Sequence, residues 1–254
     1  MVVTGAVGGI GVEVCRGLRA AGLEPFIADV DAVGAEALAD ELACGWFALD
    51  VTSAQSWAAM RQELIESHAV VTGLVANAGL AGGGQLTGFD PDRYRAMFAV
   101  NVDGVVNGLA AFLSDLVALP EASVVVTASL AGLTGTPFDP IYAMTKHALI
   151  GLVRSVAPGL AEQGVRVQAV CPGIVDTALL GLAKSALDTV DYPLLRPREV
   201  AEVLVDCVRG LRTDTVVAVQ VGREPMAYRF AGIPGPGVVS SALPDHLPLG
   251  RVEA

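Results

Sequence analysis

Short runs of β-branched and small apolar residues alternate along the chain with longer stretches whose apolar residues recur every three to four positions. The runs are Val2-Val3, Pro25 to Ala28, Gly45 to Leu49, Gly73 to Ala76, Ser123 to Ala128, Val165 to Val170 and Thr215 to Val221, and they read as seven strands. Each is apolar at consecutive positions, as strands covered on both faces are. The stretches between them are long enough for crossover helices, among them Pro91 to Val117 and one running through Lys146 to about Gln163. Repeated strand–helix–strand units with right-handed crossovers give a single α/β domain over residues 1–229, a doubly wound parallel sheet with helices on both faces. Ligands of such sheets sit beyond the carboxyl ends of the strands, where strand order reverses. The residues just after each strand therefore matter most.

Two segments lack either period. Gly82-Gly83-Gly84 reads as a flexible loop. Residues 230–254, rich in proline and glycine, form a C-terminal tail that is either a wrapping arm closing over the ligand pocket or partly disordered.

Composition narrows the function classes. With 53% hydrophobic and 17% charged residues, a chain of 254 residues can bury one large core, which excludes disorder. A net charge of −11 repels phosphate backbones and anionic lipid, so nucleic acid and membrane surfaces are poor partners. No uninterrupted apolar run reaches the roughly 18 residues of a membrane span. Cys15, Cys44, Cys171 and Cys207 are scattered without a C-x-x-C pair, so neither a disulfide framework nor a metal site is predicted. With no basic-then-apolar leader, the protein is read as cytoplasmic.

After the first strand comes Thr4-Gly5-Ala6-Val7-Gly8-Gly9-Ile10-Gly11, with a helical period opening at Ile10. Glycines here let the backbone approach a pyrophosphate, whose charge meets the free N–H groups of the helix N-terminus. A tight turn and nothing more is the bland reading. Asp29 ends the second strand 24 positions after Gly5, where a carboxylate can accept hydrogen bonds from ribose hydroxyls and repel a 2′-phosphate. Residues 28–35 contain no Arg or Lys, and Asp31 adds negative charge, so NAD is favoured over NADP. Asp50 and Val51 close the third strand, placed to flank an adenine or merely to begin a helix. Asn77-Ala78-Gly79 follows the fourth. Ser129 follows the fifth, and Tyr142 and Lys146 share one helix face at i and i+4. A cation about 5 Å from the phenol lowers its pKa by roughly two units, giving a usable acid–base group.

Together these residues resemble the short-chain dehydrogenase/reductase family from Val2 to about Val221. Thr4, Gly5, Gly9 and Gly11 match its T-G-x-x-x-G-x-G motif, Asn77 to Gly79 its N-A-G, and Tyr142 with Lys146 its Y-x-x-x-K, with Ser129 preceding Tyr142 by 13 positions. Asn101 falls at the family's fourth catalytic position, and Pro172-Gly173 with Val175 and Thr177 matches the segment lining the nicotinamide. The resemblance implies a Rossmann fold and metal-free hydride transfer between NAD and a secondary alcohol or ketone of an apolar small molecule. Tyr142 would be the acid–base, Lys146 would lower its pKa and hold the nicotinamide ribose, Ser129 would bind the substrate oxygen, and Asn101 would support a water. The segment at about 178–197 is expected to form a lid, in which Leu179, Leu180, Leu182 and Leu187 either face an apolar ligand or are ordinary helix core, and the long helices are expected to build a homodimer or homotetramer, as in relatives.

Two departures stand out. The chain begins three residues before Thr4, leaving a short first strand, and the stretch from Thr215 to Pro225 replaces the family's T-G-x-x-x-x-V-D-G-G, so a tetramer contact built there is expected to differ. Cys171, before Pro172, reads as a small apolar residue, and Arg196 and Arg198 either greet a substrate carboxylate or are solvated. The alternatives are an NADP-dependent carbonyl reductase and a catalytically silent nucleotide-binding sensor or scaffold.

Overall fold

A computed structural model of the chain describes residues 1–181 and 183–232. Seven parallel strands, β1 (Val2–Thr4), β2 (Phe26–Asp29), β3 (Trp46–Ala48), β4 (Gly73–Ala76), β5 (Ala122–Thr127), β6 (Val165–Pro172) and β7 (Val216–Val219), lie in the order β3-β2-β1-β4-β5-β6-β7. The order reverses between β1 and β4, which pair in register through Val2 with Leu74 and Val3 with Val75. An eighth strand, β8 (Met226–Ala227), runs antiparallel along β7. The sequence pattern predicts seven strands and misses this one because two exposed residues carry no periodicity; they pair only because the chain turns back at Gly222.

Side chains alternate through the sheet into two cores. One face packs α3 (Ala54–Glu66), α5 (Gly104–Leu116) and α6 (Pro140–Ala161) through residues such as Trp57, Phe112 and Leu149. The other packs α1 (Gly9–Ala20), α2 (Ala32–Leu42) and α8 (Pro197–Val208) through Val14, Leu38 and Leu204. The three-residue β1 is fully buried and hydrogen-bonded on both sides, so its shortness leaves no open seam at the centre.

The predicted helix from Pro91 to Val117 is present in three pieces: α4 (Pro91–Phe98), a π-helical turn at Ala99–Asp103, and α5. This stretch, Pro91–Leu116, is long and apolar enough to cross a membrane, with mean hydropathy 1.5. A search for uninterrupted apolar runs misses it because Asn101, Asp103 and Asn107 break the run. Here Val105, Phe112 and Leu116 lie in the core.

The segment expected to form a lid contains a 3-10 turn at Ala178–Leu180 and the short α7 (Ala183–Thr189); Leu182 lies outside the described residues, as does the tail from residue 233 onward. The start of that tail runs away from the carboxyl ends of the strands. After β8, Tyr228 donates its backbone N–H to Val216 at the opposite end of β7, and Phe230 stacks on the Arg154 guanidinium, 3.8 Å from its ring centre.

Candidate active site

At the switch point, Thr4 and Asn77 lock β1 to β4. The Thr4 hydroxyl accepts from the backbone N–H of Asn77 (3.0 Å) and of Ala78 (3.2 Å), and the Asn77 amide donates to the carbonyls of Thr4 and Gly5. Asn77 Oδ1 in turn accepts from Thr127 on β5 at 3.1 Å. Gly5 turns with φ +60°, and a Cβ there would meet the Ala78 backbone at 2.7 Å. At Gly11 a Cβ would lie 2.1 Å from the Gly5 carbonyl oxygen. Both positions are therefore glycine for packing reasons. Thr4 and Gly11 shape the turn, and neither is among the described residues that line the two cavities.

Two adjoining cavities follow the carboxyl ends of the strands and share Ile10, Asn77, Gly79, Thr177 and Leu179. The first, about 520 Å³, is lined by Gly5, Gly8, Gly9, Asp29, Asp50, Val51 and Ala78 among others. Gly8 caps α1 without any side-chain hydrogen bond, which leaves the helix N-terminus open toward the cavity. Asp29 accepts the backbone N–H of Val7 at 2.9 Å on one carboxylate oxygen and that of Asp31 at 3.1 Å on the other. No Lys or Arg appears among the described residues lining this cavity.

The second cavity, about 360 Å³, brings together Ser129, Tyr142, Lys146, Pro172, Gly173, Val175 and Thr177. Tyr142 and Lys146 sit one turn apart on α6, whose start is fixed by Asp139: its carboxylate caps the helix through the Tyr142 N–H at 3.1 Å, with Pro140 in the first turn. Lys146 is 4% exposed; its ammonium donates to the Thr127 carbonyl at 2.9 Å and lies 5.6 Å from the centre of the Tyr142 ring. Burial pulls Lys146 down to about 8. Burial likewise pushes Tyr142 up to about 12, opposed by a hydrogen bond with Ser129. The packed site does not give the lysine-acidified phenol that the sequence suggests: burial raises it and Ser129 is the neighbour that lowers it, so Tyr142 is a neutral phenol at pH 7.

Asn101 sits where its side chain ties the loop after β4 to α6. Fully buried in the π-helical turn, it accepts the Leu80 N–H at 2.7 Å and donates to the Leu80 carbonyl at 2.9 Å and to Thr145 Oγ1 at 3.0 Å. Its side chain is thereby committed to fastening the loop after β4 to α6. Cys171 is buried and inert, its thiol pushed up to about 12 by burial. Arg196 and Arg198 pair with Glu199 and Glu202 at the surface, the solvated alternative.

Several functional neighbours escaped the sequence reading. Asp139 also accepts the Gly82 N–H at 2.7 Å, and Arg93 donates to the carbonyls of Gly82 and Ala81, so the glycine loop expected to be free is pinned to the catalytic helix. An Asp-Pro step ahead of a helical period signals the cap, though not the loop contact. Gln220, just beyond β7, reaches the second cavity and had no local signal at all.

The family model for short chain dehydrogenases matches residues 1–187, and the chain belongs to that family. It is 31% identical over 222 residues to 2-(S)-hydroxypropyl-CoM dehydrogenase 3 of Xanthobacter autotrophicus, covering 81% of this chain and 87% of that one. It is 32% identical to 2-keto-3-deoxy-L-fuconate dehydrogenase of Xanthomonas campestris pv. campestris, over 80% of this chain and 72% of that one. The crystal structure of a 3-ketoacyl-(acyl-carrier-protein) reductase from Brucella melitensis complexed with NADH superposes with TM-score 0.78 at 25% identity, covering 87% of this chain and 95% of that one.

Proposed function

We propose that the protein is an NAD(H)-dependent oxidoreductase that interconverts a secondary alcohol and a ketone of a small apolar molecule. The observation that carries this reading is that Ser129, Tyr142 and Lys146 open onto one cavity which continues, past Ile10 and Gly79, into a groove edged by Asp29. The groove fits a dinucleotide: an uncapped helix N-terminus for the pyrophosphate, and a carboxylate with no neighbouring cation for the adenosine ribose. Asp50 and Val51 would flank the adenine, Asn77 to Gly79 the backbone of the cofactor, and Pro172, Gly173, Val175 and Thr177 the nicotinamide. A bound nicotinamide supplies the hydride.

The chain's own groups then handle the proton. As a neutral phenol, Tyr142 gives its proton to the oxygen of a ketone being reduced, which leaves the phenolate; in the reverse direction it is that phenolate that takes the proton of the alcohol being oxidised. Ser129, hydrogen-bonded to the same phenol, donates to that oxygen as charge develops on it. Lys146, held by Thr127, places a positive charge beneath the phenol and toward the ribose. Four free cysteines, three of them buried, suit a reducing cytoplasm. Val106 on α5 and Met144 on α6 remain exposed on the faces through which we propose the chain forms a homo-oligomer.

The test is Tyr142→Phe. NADH binding persists and turnover of secondary alcohols and ketones drops by at least about a thousandfold, in line with loss of a general acid. Full activity in this variant contradicts the assignment.

A further inference from the structure

The cavity at Tyr142 carries polar groups that the chemistry above does not use, Gln220 among them. Gln220 follows β7, and its side chain lies against Gly173, where an added Cβ would meet Oε1 at 2.6 Å. Its amide orientation is fixed by the backbone: Oε1 accepts the Val221 N–H at 3.0 Å, which leaves Nε2 as the amide's donor. Among the described residues Nε2 has no partner and is not fully buried, and Gln220 lines the cavity, so the amide keeps a donor available to a ligand there.

The charges around that donor are equally informative. Lys146 is the one cation among the described lining residues, and its ammonium is already tied to Thr127 beneath the phenol; no carboxylate lines the cavity. In the lid, Lys184 pairs with Asp176, and Arg196 with Glu199. Arg223, in the turn after Gln220, is exposed and not a lining residue. Thr134, Thr136 and Tyr192 add hydroxyl groups to the lining. At about 360 Å³, part of it claimed by a nicotinamide ring, the remaining space suits a small molecule only.

We propose that the substrate is a neutral, doubly oxygenated small molecule: a secondary alcohol or ketone whose second oxygen accepts a hydrogen bond from Gln220 Nε2. The inference rests on the dehydrogenase reading and deepens it. A neutral acceptor satisfies the amide, an all-carbon analogue that fills the site displaces the water that would pair with it and offers nothing in return, and a carboxylate enters without a free cation to meet it.

A matched set of unbranched methyl ketones, ending in methyl, methyl ester, hydroxyl or carboxylate, separates the possibilities when kcat/KM for reduction is measured alongside NADH affinity. In the wild-type protein the ester and hydroxyl members exceed the methyl member by about tenfold or more, and the carboxylate is poorest. Gln220→Leu brings the ester-to-methyl ratio to within about threefold and leaves NADH affinity within about twofold. Gln220→Glu keeps an acceptor for the Val221 N–H, so its fold is preserved; it rejects the ester, which can only accept, while tolerating the hydroxyl. Turnover without the ester preference, or a preference that survives Gln220→Leu, overturns the inference alone. Loss of NADH affinity in Gln220→Leu overturns it by assigning the amide to the cofactor. No turnover of any member overturns the dehydrogenase reading and this inference with it.

Discussion

Lys146 donates to the carbonyl oxygen of Thr127 at 2.9 Å from a position that is 4% exposed, and no carboxylate pairs with it among the described residues. One neutral acceptor does not replace the hydration of an ammonium, which is why burial takes this lysine from 10.5 down to about 8. The fold thus carries a destabilising cation at the place where a positive charge serves the phenol.

Removing that cation is expected to move stability and activity in opposite directions. A drop from 10.5 to about 8 corresponds to roughly 3 kcal/mol, part of which the lost hydrogen bond to Thr127 takes back. Lys146→Met is predicted to gain about 1–2 kcal/mol in urea unfolding at pH 7 while losing nearly all turnover. Equal loss of both contradicts the view that Lys146 is held for function.

Asn101 acts as a positioning residue. Asn101→Ala leaves the backbone N–H and carbonyl of Leu80 without their partners and frees Thr145 from its contact. The predicted cost is about 2–4 kcal/mol of stability. At temperatures where the variant is folded, kcat falls by more than tenfold while NADH affinity changes little, since the residue lines neither cavity. A large loss of NADH affinity with kcat intact would argue for direct cofactor contact.

The buried thiols make the fold alkali-sensitive. Burial raises Cys15, Cys171 and Cys207 from 9.0 to about 12, so above pH 9 the unfolded chain sheds protons that the folded chain keeps, and stability falls as pH rises. Lys146 works the other way between about 8 and 10.5, because there the unfolded chain holds the proton that the folded chain has lost. Tyr142, raised from 10.0 to about 12, acts with the thiols, and together against one lysine they leave a net loss of roughly 3 kcal/mol per pH unit near pH 10. The urea midpoint is predicted to fall between pH 8 and pH 10, less so in Cys207→Ala. A midpoint constant over that range contradicts the account.

What could be read from the sequence divides by distance along the chain. The turn from Thr4 to Gly11, the terminal Asp29 and the Tyr142–Lys146 pair are local signals, since a few neighbouring residues determine both the backbone and the direction of the side chain. The seven parallel strands were legible because both-face burial writes itself as continuous apolar runs; the two-residue β8 has no such signature. Gln220 meets Gly173 across 47 positions of chain, and Asp139 meets Gly82 across 57, so neither contact exists until the sheet has formed. The direction of the Tyr142 shift was hidden for the same reason, because burial is a property of the packed site.

Titration of the purified protein with NADH and with NADPH, followed by nicotinamide fluorescence, tests the central claim most directly. With the Asp29 carboxylate facing the groove and no cation among the described lining residues to offset a 2′-phosphate, NADH is predicted to bind at least about tenfold tighter than NADPH. Asp29→Ser narrows that gap. Equal affinities, or tighter NADPH, would contradict the assignment of NAD.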